Sequence, residues 1–339
     1  MLCGARSYSA IAEWGRNYGA HIARALGFRP IPPCAATLHR IFRRLDGAGF
    51  EAQLGTWAES VVASMPLGTG RPPAVALDGK TLRGSRKQGA PGVHLLSALA
   101  HQVGVTLAQQ AVADKTNEIT AVETVLSQLV LTGRVVTMDA LLTQTAVAQT
   151  IVDAGGDYVM VVKANQPQLR ADIALIFAEP PLGDYQETAD TIERGHGRIE
   201  QRRLTTSQAL VGYSTWPGLA QVFALERSVI IPKTGAVRSE TGYGVTSLAS
   251  QRATPARLLE LVRGHWQIEN QAHWVRDVTF DEDRSQGRCG HIPQVMAALR
   301  NTTIGLLRRA GYSNIAAACR LLAAQPARAL ALIGIQLEN

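Results

Sequence analysis

Apolar residues recur at three- and four-residue spacing in Ser9-Ala-Ile-Ala-Glu-Trp14, Ala20-His-Ile-Ala-Arg-Ala-Leu26 and Thr37-Leu-His-Arg-Ile-Phe-Arg-Arg-Leu45. That period marks one face of an α-helix, and Pro30, Pro32 and Pro33 separate the second helix from the third. The third presents Arg40, Arg43 and Arg44, which read either as a solvated face or as contacts to a polyanion. Pro66-Leu-Gly-Thr-Gly-Arg-Pro72-Pro73 then interrupts all periodicity and predicts a linker, leaving residues 1–65 as a helical N-terminal domain.

The pattern changes after the linker. Short apolar runs over 73–77, 94–100 and 105–113, the last two joined by Gln102-Val-Gly104, predict three strands. Helical periodicity over 118–129, a strand over 134–138 and a helix over 143–154 follow. Residues 158–163 are apolar without alternation, as expected for a strand buried on both faces, and 166–178 are helical. The order β-β-β-α-β-α-β is that of the ribonuclease-H-like fold, an α/β mixed sheet with flanking helices. Residues 181–250 differ in texture, being rich in Thr, Ser, Gly and β-branched residues, with strand-like pieces over 202–206, 221–232 and 242–248. They read as a β-rich insertion between the two parts of the core, 73–180 and 251–339. Helix resumes at the Thr254-Pro255 cap, runs through Leu258, Leu261, Val262, Trp266, Ile268 and Glu269 towards Val275, and returns in an Ala- and Leu-rich tail from Ile292.

Composition adds bounds rather than identity. The chain has 339 residues, enough for two domains, and its 46% hydrophobic and 18% charged residues describe an ordinary globular protein. Lys and Arg exceed Asp and Glu by 34 to 27, a net charge of +7 that favours a polyanionic partner without requiring one. Cys3, Cys34, Cys289 and Cys319 are far apart and form no CxxC pair, so they read as reduced, mostly buried thiols rather than a disulfide or zinc framework. No apolar stretch approaches the roughly 20 residues that span a bilayer, and no signal peptide is evident. A cytoplasmic location and no membrane partner are therefore expected.

The predicted topology brings chemistry together. Asp78 closes the first strand of this core and Asp139 the fourth, and those strands are neighbours in a ribonuclease-H-like sheet. Each aspartate alone reads most simply as a turn residue. Side by side they would repel unless a cation held them, which points to divalent metal. Glu269 lies on a helix with His265 and His273 four residues to either side, so a His-Glu-His stripe is conceivable, although HExxH spacing is absent. Spacing leaves Glu269 in competition with Asp277, Asp281, Glu282, Asp283, Glu193 and Glu200. Lys80 and Arg83 after Asp78, Lys163 and Asn165 after the fifth strand, and Arg263, His265 and Arg276 around Glu269 are candidate phosphate contacts, or simply solvated polar residues. The Asp78-Gly-Lys80 loop is not a phosphate-binding Walker loop, and no G-x-S-x-G elbow supports serine chemistry.

Taken together, longer stretches resemble the DDE transposases of ISAs-type insertion sequences, the H-repeat-associated proteins. The stretches are Cys3-Gly-Ala-Arg-Ser-Tyr8, Ala76-Leu-Asp-Gly-Lys-Thr-Leu-Arg-Gly-Ser85, Asp114-Lys-Thr-Asn-Glu-Ile119, Val136-Thr-Met-Asp-Ala140, Lys163-Ala-Asn-Gln166, Gly195-His-Gly-Arg-Ile-Glu200, His265-Trp-Gln-Ile-Glu-Asn270 and His273-Trp-Val-Arg-Asp-Val-Thr-Phe280. The resemblance implies a catalytic and metal-binding triad of Asp78, Asp139 and Glu269, two magnesium or manganese ions, and double-stranded DNA as partner, worked on by a homodimer. It is the resemblance that selects Glu269. The related Tyr-x2-Arg-x3-Glu-x6-Lys signature falls here on Val262, His265, Glu269 and Arg276, of which only the glutamate is identical. Such proteins carry a further helical segment before the Cys3 motif, which implies that this chain starts late, as a truncated or mis-started copy. Two rival expectations are a decayed or domesticated transposase that only binds DNA, and a nuclease acting on RNA hybrids.

Overall fold

The computed structural model describes residues 1–28, 31–64, 72–87, 89, 91–112, 118–195 and 197–336. Most of the expected linker, residues 114–117 of the Asp114 motif and His196 lie outside the described residues. Two compact units share the chain: Met1–Pro66 with Gly79–Ala121 and Gln267–Asn339, and Leu67–Asp78 with Val122–Trp266.

The first unit opens with four helices, α1 (Tyr8–Asn17), α2 (Gly19–Ala25), α3 (Ala35–Arg44) and α4 (Gly47–Ala63). Ser7 caps α1 by accepting from the Ala10 amide, and Asp46 caps α4 by accepting from Gly49. The expected helices are present, and Arg40, Arg43 and Arg44 of α3 are exposed. This unit also holds the last residues of β1 (Ala74–Thr81) and an antiparallel hairpin, β2 (His94–Ala100) with β3 (Val105–Val112).

Four of its helices come late in the chain: α9 (Trp274–Val278), α10 (Ile292–Arg309), α11 (Ile315–Ala324) and α12 (Pro326–Leu332). Helix α10 packs on both β3 and α4. Val275, Phe280, Ile304, Leu307, Ile315 and Leu322 form a core against which Met1, Leu2 and Cys3 also rest. All four cysteines are free thiols, but only Cys319 is buried, and Cys34 and Cys289 are exposed, contrary to the expectation of mostly buried thiols.

The second unit contains α5 (Glu118–Ser127, from Val122 onward), β4 (Val135–Met138), α6 (Thr145–Asp153), β5 (Asp157–Val162) and α7 (Pro167–Ala178). It continues with β6 (Glu187–Gly195), β7 (Arg198–Ser207), β8 (Gln221–Ile231), β9 (Ala236–Thr246) and α8 (Pro255–His265). The strands form one nine-stranded sheet in the order β3-β2-β1-β4-β5-β9-β8-β7-β6. β1, β4 and β5 pair in parallel, and β5, β9, β8, β7 and β6 pair antiparallel. The first five strands therefore take the ribonuclease-H-like order, and the β-rich segment extends the same sheet through β9. The join is tight: Gly244 of β9 sits opposite Val161 of β5 and Phe223 of β8, and a Cβ there would run into the Phe223 ring. Helix α8 covers one face of this unit through Leu258, Leu259, Leu261 and Val262, packed with Ala74, Val135 and Val159. No single described helix is long and apolar enough to cross a membrane.

Candidate active site

Parallel pairing of β1 with β4 runs from Ala74↔Val135 to Leu77↔Met138. Asp78 is the next residue of β1 and Asp139 the first residue after β4, so the register brings both to the same end of the paired segment. Alternation puts 74, 76 and 78 on the same face as 135, 137 and 139, and neighbouring strands lie about 4.8 Å apart. Contrary to the expectation from sequence, Asp78 does not end its strand; β1 continues to Thr81, and it is the pairing with β4 that stops at Leu77. Both aspartates are half-buried.

Asp139 is held by its surroundings. Its Oδ1 accepts from the Ala140 amide at 2.6 Å and from Lys163 Nζ at 3.2 Å. The turn that follows, Ala140–Leu142, is tied to the end of β5: Asn165 Nδ2 donates to the carbonyls of Ala140 (2.6 Å) and Thr143 (3.2 Å), and Thr143 Oγ1 donates to Val161 O at 2.7 Å. Asn165, expected at phosphate, thus has its amide hydrogens committed to the Asp139 loop. Lys163 remains well exposed beside the carboxylate.

On the same face, His265 at the end of α8 meets Thr137, two residues before Asp139, with Nδ1 3.2 Å from Thr137 Oγ1. Burial lowers the His265 pKa to about 4, against the pull of the Asp139 charge. A buried, neutral imidazole does not supply the positive charge expected of it, because its polar edge is turned into the sheet. Arg263, half a turn earlier, is bound by Glu193 of β6, which also accepts from Arg202 at 3.1 Å. The Arg263 hydrogen bond, followed by Arg202, holds the Glu193 carboxyl below the usual range despite slight desolvation.

In the first unit, Glu269 is exposed and begins a π-helical turn, Glu269–His273, in which the Trp274 amide donates to Glu269 O. Such turns insert a residue into the helical register and recur at functional sites. His265 and His273 are both buried, so the conceivable His-Glu-His stripe does not form. Lys80, expected at phosphate, instead donates to Asp277 Oδ2 at 2.6 Å with its side chain only 11% exposed. Arg276, also expected at phosphate, is fully buried and pairs with Glu282, Nε donating to Oε2 at 2.8 Å and Nη2 lying 2.7 Å from the same oxygen. Arg300 Nη1 completes the group at 2.9 Å from Glu282 Oε1. Asp281, at φ 53°, turns the chain so that Glu282 enters this core. A signal for the group was present: Arg300 interrupts the buried apolar face of α10, which demands a partner. Arg83 is different, 73% exposed and 3.8 Å from Asp283.

Among the described residues, no three His, Cys, Asp or Glu side chains are grouped as a ready-made metal cage. The donor chemistry of the paired aspartates still fits a hard divalent cation, since magnesium is commonly bound by one or two carboxylates completed by water and substrate phosphate. The hydrogen bonds from the Ala140 amide and Lys163 are both accepted by Oδ1 of the Asp139 carboxylate.

The transposase DDE domain profile matches residues 69–305, and the DDE-associated N-terminal profile matches residues 1–58. The chain belongs to the DDE-domain transposases. A protein of Xanthobacter autotrophicus described as an "uncharacterized protein in dhlA 3'region" is 35% identical over 67% of this chain and 77% of its own. The "H repeat-associated putative transposase YhhI" of Escherichia coli K12 is 27% identical over 91% of this chain and 82% of its own. The cryo-EM structure of the piggyBac transposase synaptic complex with hairpin DNA is similar over 74% of this transposase at 11% identity and a TM-score of 0.40. The chain spans about half, 51%, of that longer protein.

Proposed function

We propose that this transposase cuts DNA at the ends of an insertion sequence and joins the freed ends to target DNA, with Asp78, Asp139 and Glu269 as its catalytic carboxylates. The observation that carries the reading is the β1–β4 register, which supports a shared role for Asp78 and Asp139 at the edge of their pairing. Glu269 enters through the family motif, and its exposure on a π turn is compatible with that role. In the first step water attacks the scissile phosphorus and the P–O3′ bond breaks, leaving a 3′-hydroxyl on the element and a 5′-phosphate on the flank. In the second, that hydroxyl attacks a target phosphodiester, forming a new P–O bond and releasing the target 3′-hydroxyl. Magnesium or manganese, held by Asp78, Asp139 and Glu269, would supply water activation and neutralise charge on the leaving oxygen. Ala140 and Lys163 fix the Asp139 carboxylate, and Asn165 fixes the loop behind it. Exposed Lys163 and Arg83 are suited to phosphate, and such contacts make binding fall steeply with salt.

The expected partner is double-stranded DNA, with a homodimer acting on paired ends. The test is cleavage of terminal-repeat DNA by the full chain with manganese. Asp78→Ala, Asp139→Ala and Glu269→Ala should each abolish cleavage while DNA binding without metal persists. Full cleavage by the Glu269 variant would remove it from the set.

A further inference from the structure

Lys80 lies two residues beyond Asp78 on β1, on the same side of the strand by alternation, yet its ammonium is not offered to solvent. It donates to Asp277 Oδ2 at 2.6 Å, and the two side chains are 11% and 31% exposed. Asp277 belongs to α9, whose first residue, Trp274, donates its amide to the Glu269 carbonyl. The neighbouring Arg276 is anchored in turn by Glu282 and, through it, by Arg300, all three essentially without solvent exposure. Two adjacent residues of α9 are therefore gripped, Asp277 by Lys80 of β1 and Arg276 by the buried Glu282 carboxylate. The single hydrogen-bonded turn between Trp274 and Glu269 leaves little freedom for Glu269 to move independently of that anchorage. Among the described residues Asp277 Oδ1 is buried without a hydrogen-bond partner, and Lys80 supplies charge compensation at this carboxylate.

We propose that Lys80 and Asp277 are positioning residues, an ion pair that holds the Glu269 turn in place through α9, and that Lys80 is not a phosphate contact. The inference rests on the reading of Glu269 as a catalytic carboxylate. The two roles of Lys80 differ in what they change. A phosphate contact contributes affinity and one unit of salt slope, whereas a positioning pair contributes rate, and small misplacements cost up to about 100-fold.

The test uses the full chain with Lys80→Met, Lys80→Arg, Asp277→Asn and the double variant Lys80→Met with Asp277→Asn. Affinity for terminal-repeat DNA is measured against salt without metal. Single-turnover cleavage at saturating DNA is measured against manganese concentration. Lys80→Met is expected to leave affinity and salt slope unchanged, to slow cleavage on the order of 10- to 100-fold, and to raise the manganese concentration for half-maximal rate. A loss of folded protein alone would not move that last value. Asp277→Asn should match it, Lys80→Arg should restore most of the rate, and the double variant should be no worse than either single one, as expected for coupled residues. A salt slope lower by about one, with the rate at saturating DNA retained, would overturn the proposal, as would a silent Asp277→Asn. Should Lys80→Met not fold, the near-isosteric Asp277→Asn decides by the same readouts. Wild-type protein that binds DNA but never cuts it would instead sink the catalytic reading, leaving the salt slopes to judge Lys80 alone.

Discussion

Replacing Glu51 by Gln should flatten the pH dependence of stability between pH 5 and 8. Glu51 lies on α4, 6% exposed, with Oε1 accepting from Gln109 Nε2 at 2.6 Å and Oε2 from Gln294 Nε2 at 2.5 Å. Asn301 Nδ2 donates to Gln109 Oε1 at 2.9 Å and fixes that amide's orientation. Desolvation of the carboxylate outweighs the hydrogen bonds from Gln294 and Gln109, so the pKa rises from 4.5 to about 7. The sign follows from linkage. The folded protein holds this proton more tightly than the unfolded chain, so the contribution to stability is complete below about pH 4.5 and is lost as pH rises to about 7. At about 1.4 kcal/mol per unit the full loss is about 3 kcal/mol. Glu51→Gln removes the titration, and the added amide donor is accommodated if the Gln294 amide turns over. Urea unfolding followed by tryptophan fluorescence at half-unit pH steps should show wild type losing stability towards pH 8 while the variant stays nearly level. Parallel curves would refute the buried, protonatable carboxylate.

Two further substitutions probe the sheet and the buried charge group. Gly244→Ala should destabilise by about 1–3 kcal/mol through overpacking against Phe223 and Met160, whereas Gly242→Ala, with open space around it, should be close to neutral in the same urea titration. Glu282→Gln should cost about 3–5 kcal/mol because it leaves the Arg276 and Arg300 guanidiniums buried without a counter-charge; an unchanged melting temperature would show that water or rearrangement compensates them.

Much of the sheet was legible because its strands are apolar and bounded by clear breaks. Residues 157–162 are continuous and buried, and the order of elements sufficed to pair β1 with β4. β6 was not anticipated. Its Glu187-Thr-Ala-Asp-Thr-Ile-Glu-Arg-Gly sequence is almost entirely exposed, as suits an edge strand defended by charge, and such a strand has no apolar face to announce it. The surroundings of Glu269 were hidden for another reason. An even helical period through His265, Glu269 and His273 implies one shared face, and a single π turn defeats that count. Charged residues were the least legible. Lys80 and Arg276 read as solvent-facing cations near a site, yet both are consumed by acids distant or adjacent in sequence, Asp277 and Glu282. Charge in a motif indicates neither its exposure nor its partner.

The two aspartates owe their adjacency to register, and register is set by burial. Ala74, Val75, Ala76 and Leu77 are buried opposite Val135, Val136, Thr137 and Met138, with both faces of the strands covered. A slip of one residue would transfer every side chain of β1 to the other face and take Asp78 with it. Helix α8 resists that slip by packing Leu258, Leu261 and Val262 on the face that carries Ala74 and Val135, while His265 reads Thr137 directly. That contact also explains why a histidine is tolerated in a dry position: kept neutral by burial, it completes the packing without adding charge beside Asp139. The apolar paired segment and the aspartate that follows it in each chain segment thus have separable duties. Core substitutions in β1 or β4 that preserve volume and register should leave the acidic pair intact, whereas any change that shifts the pairing should disperse it even with both aspartates still present in the sequence.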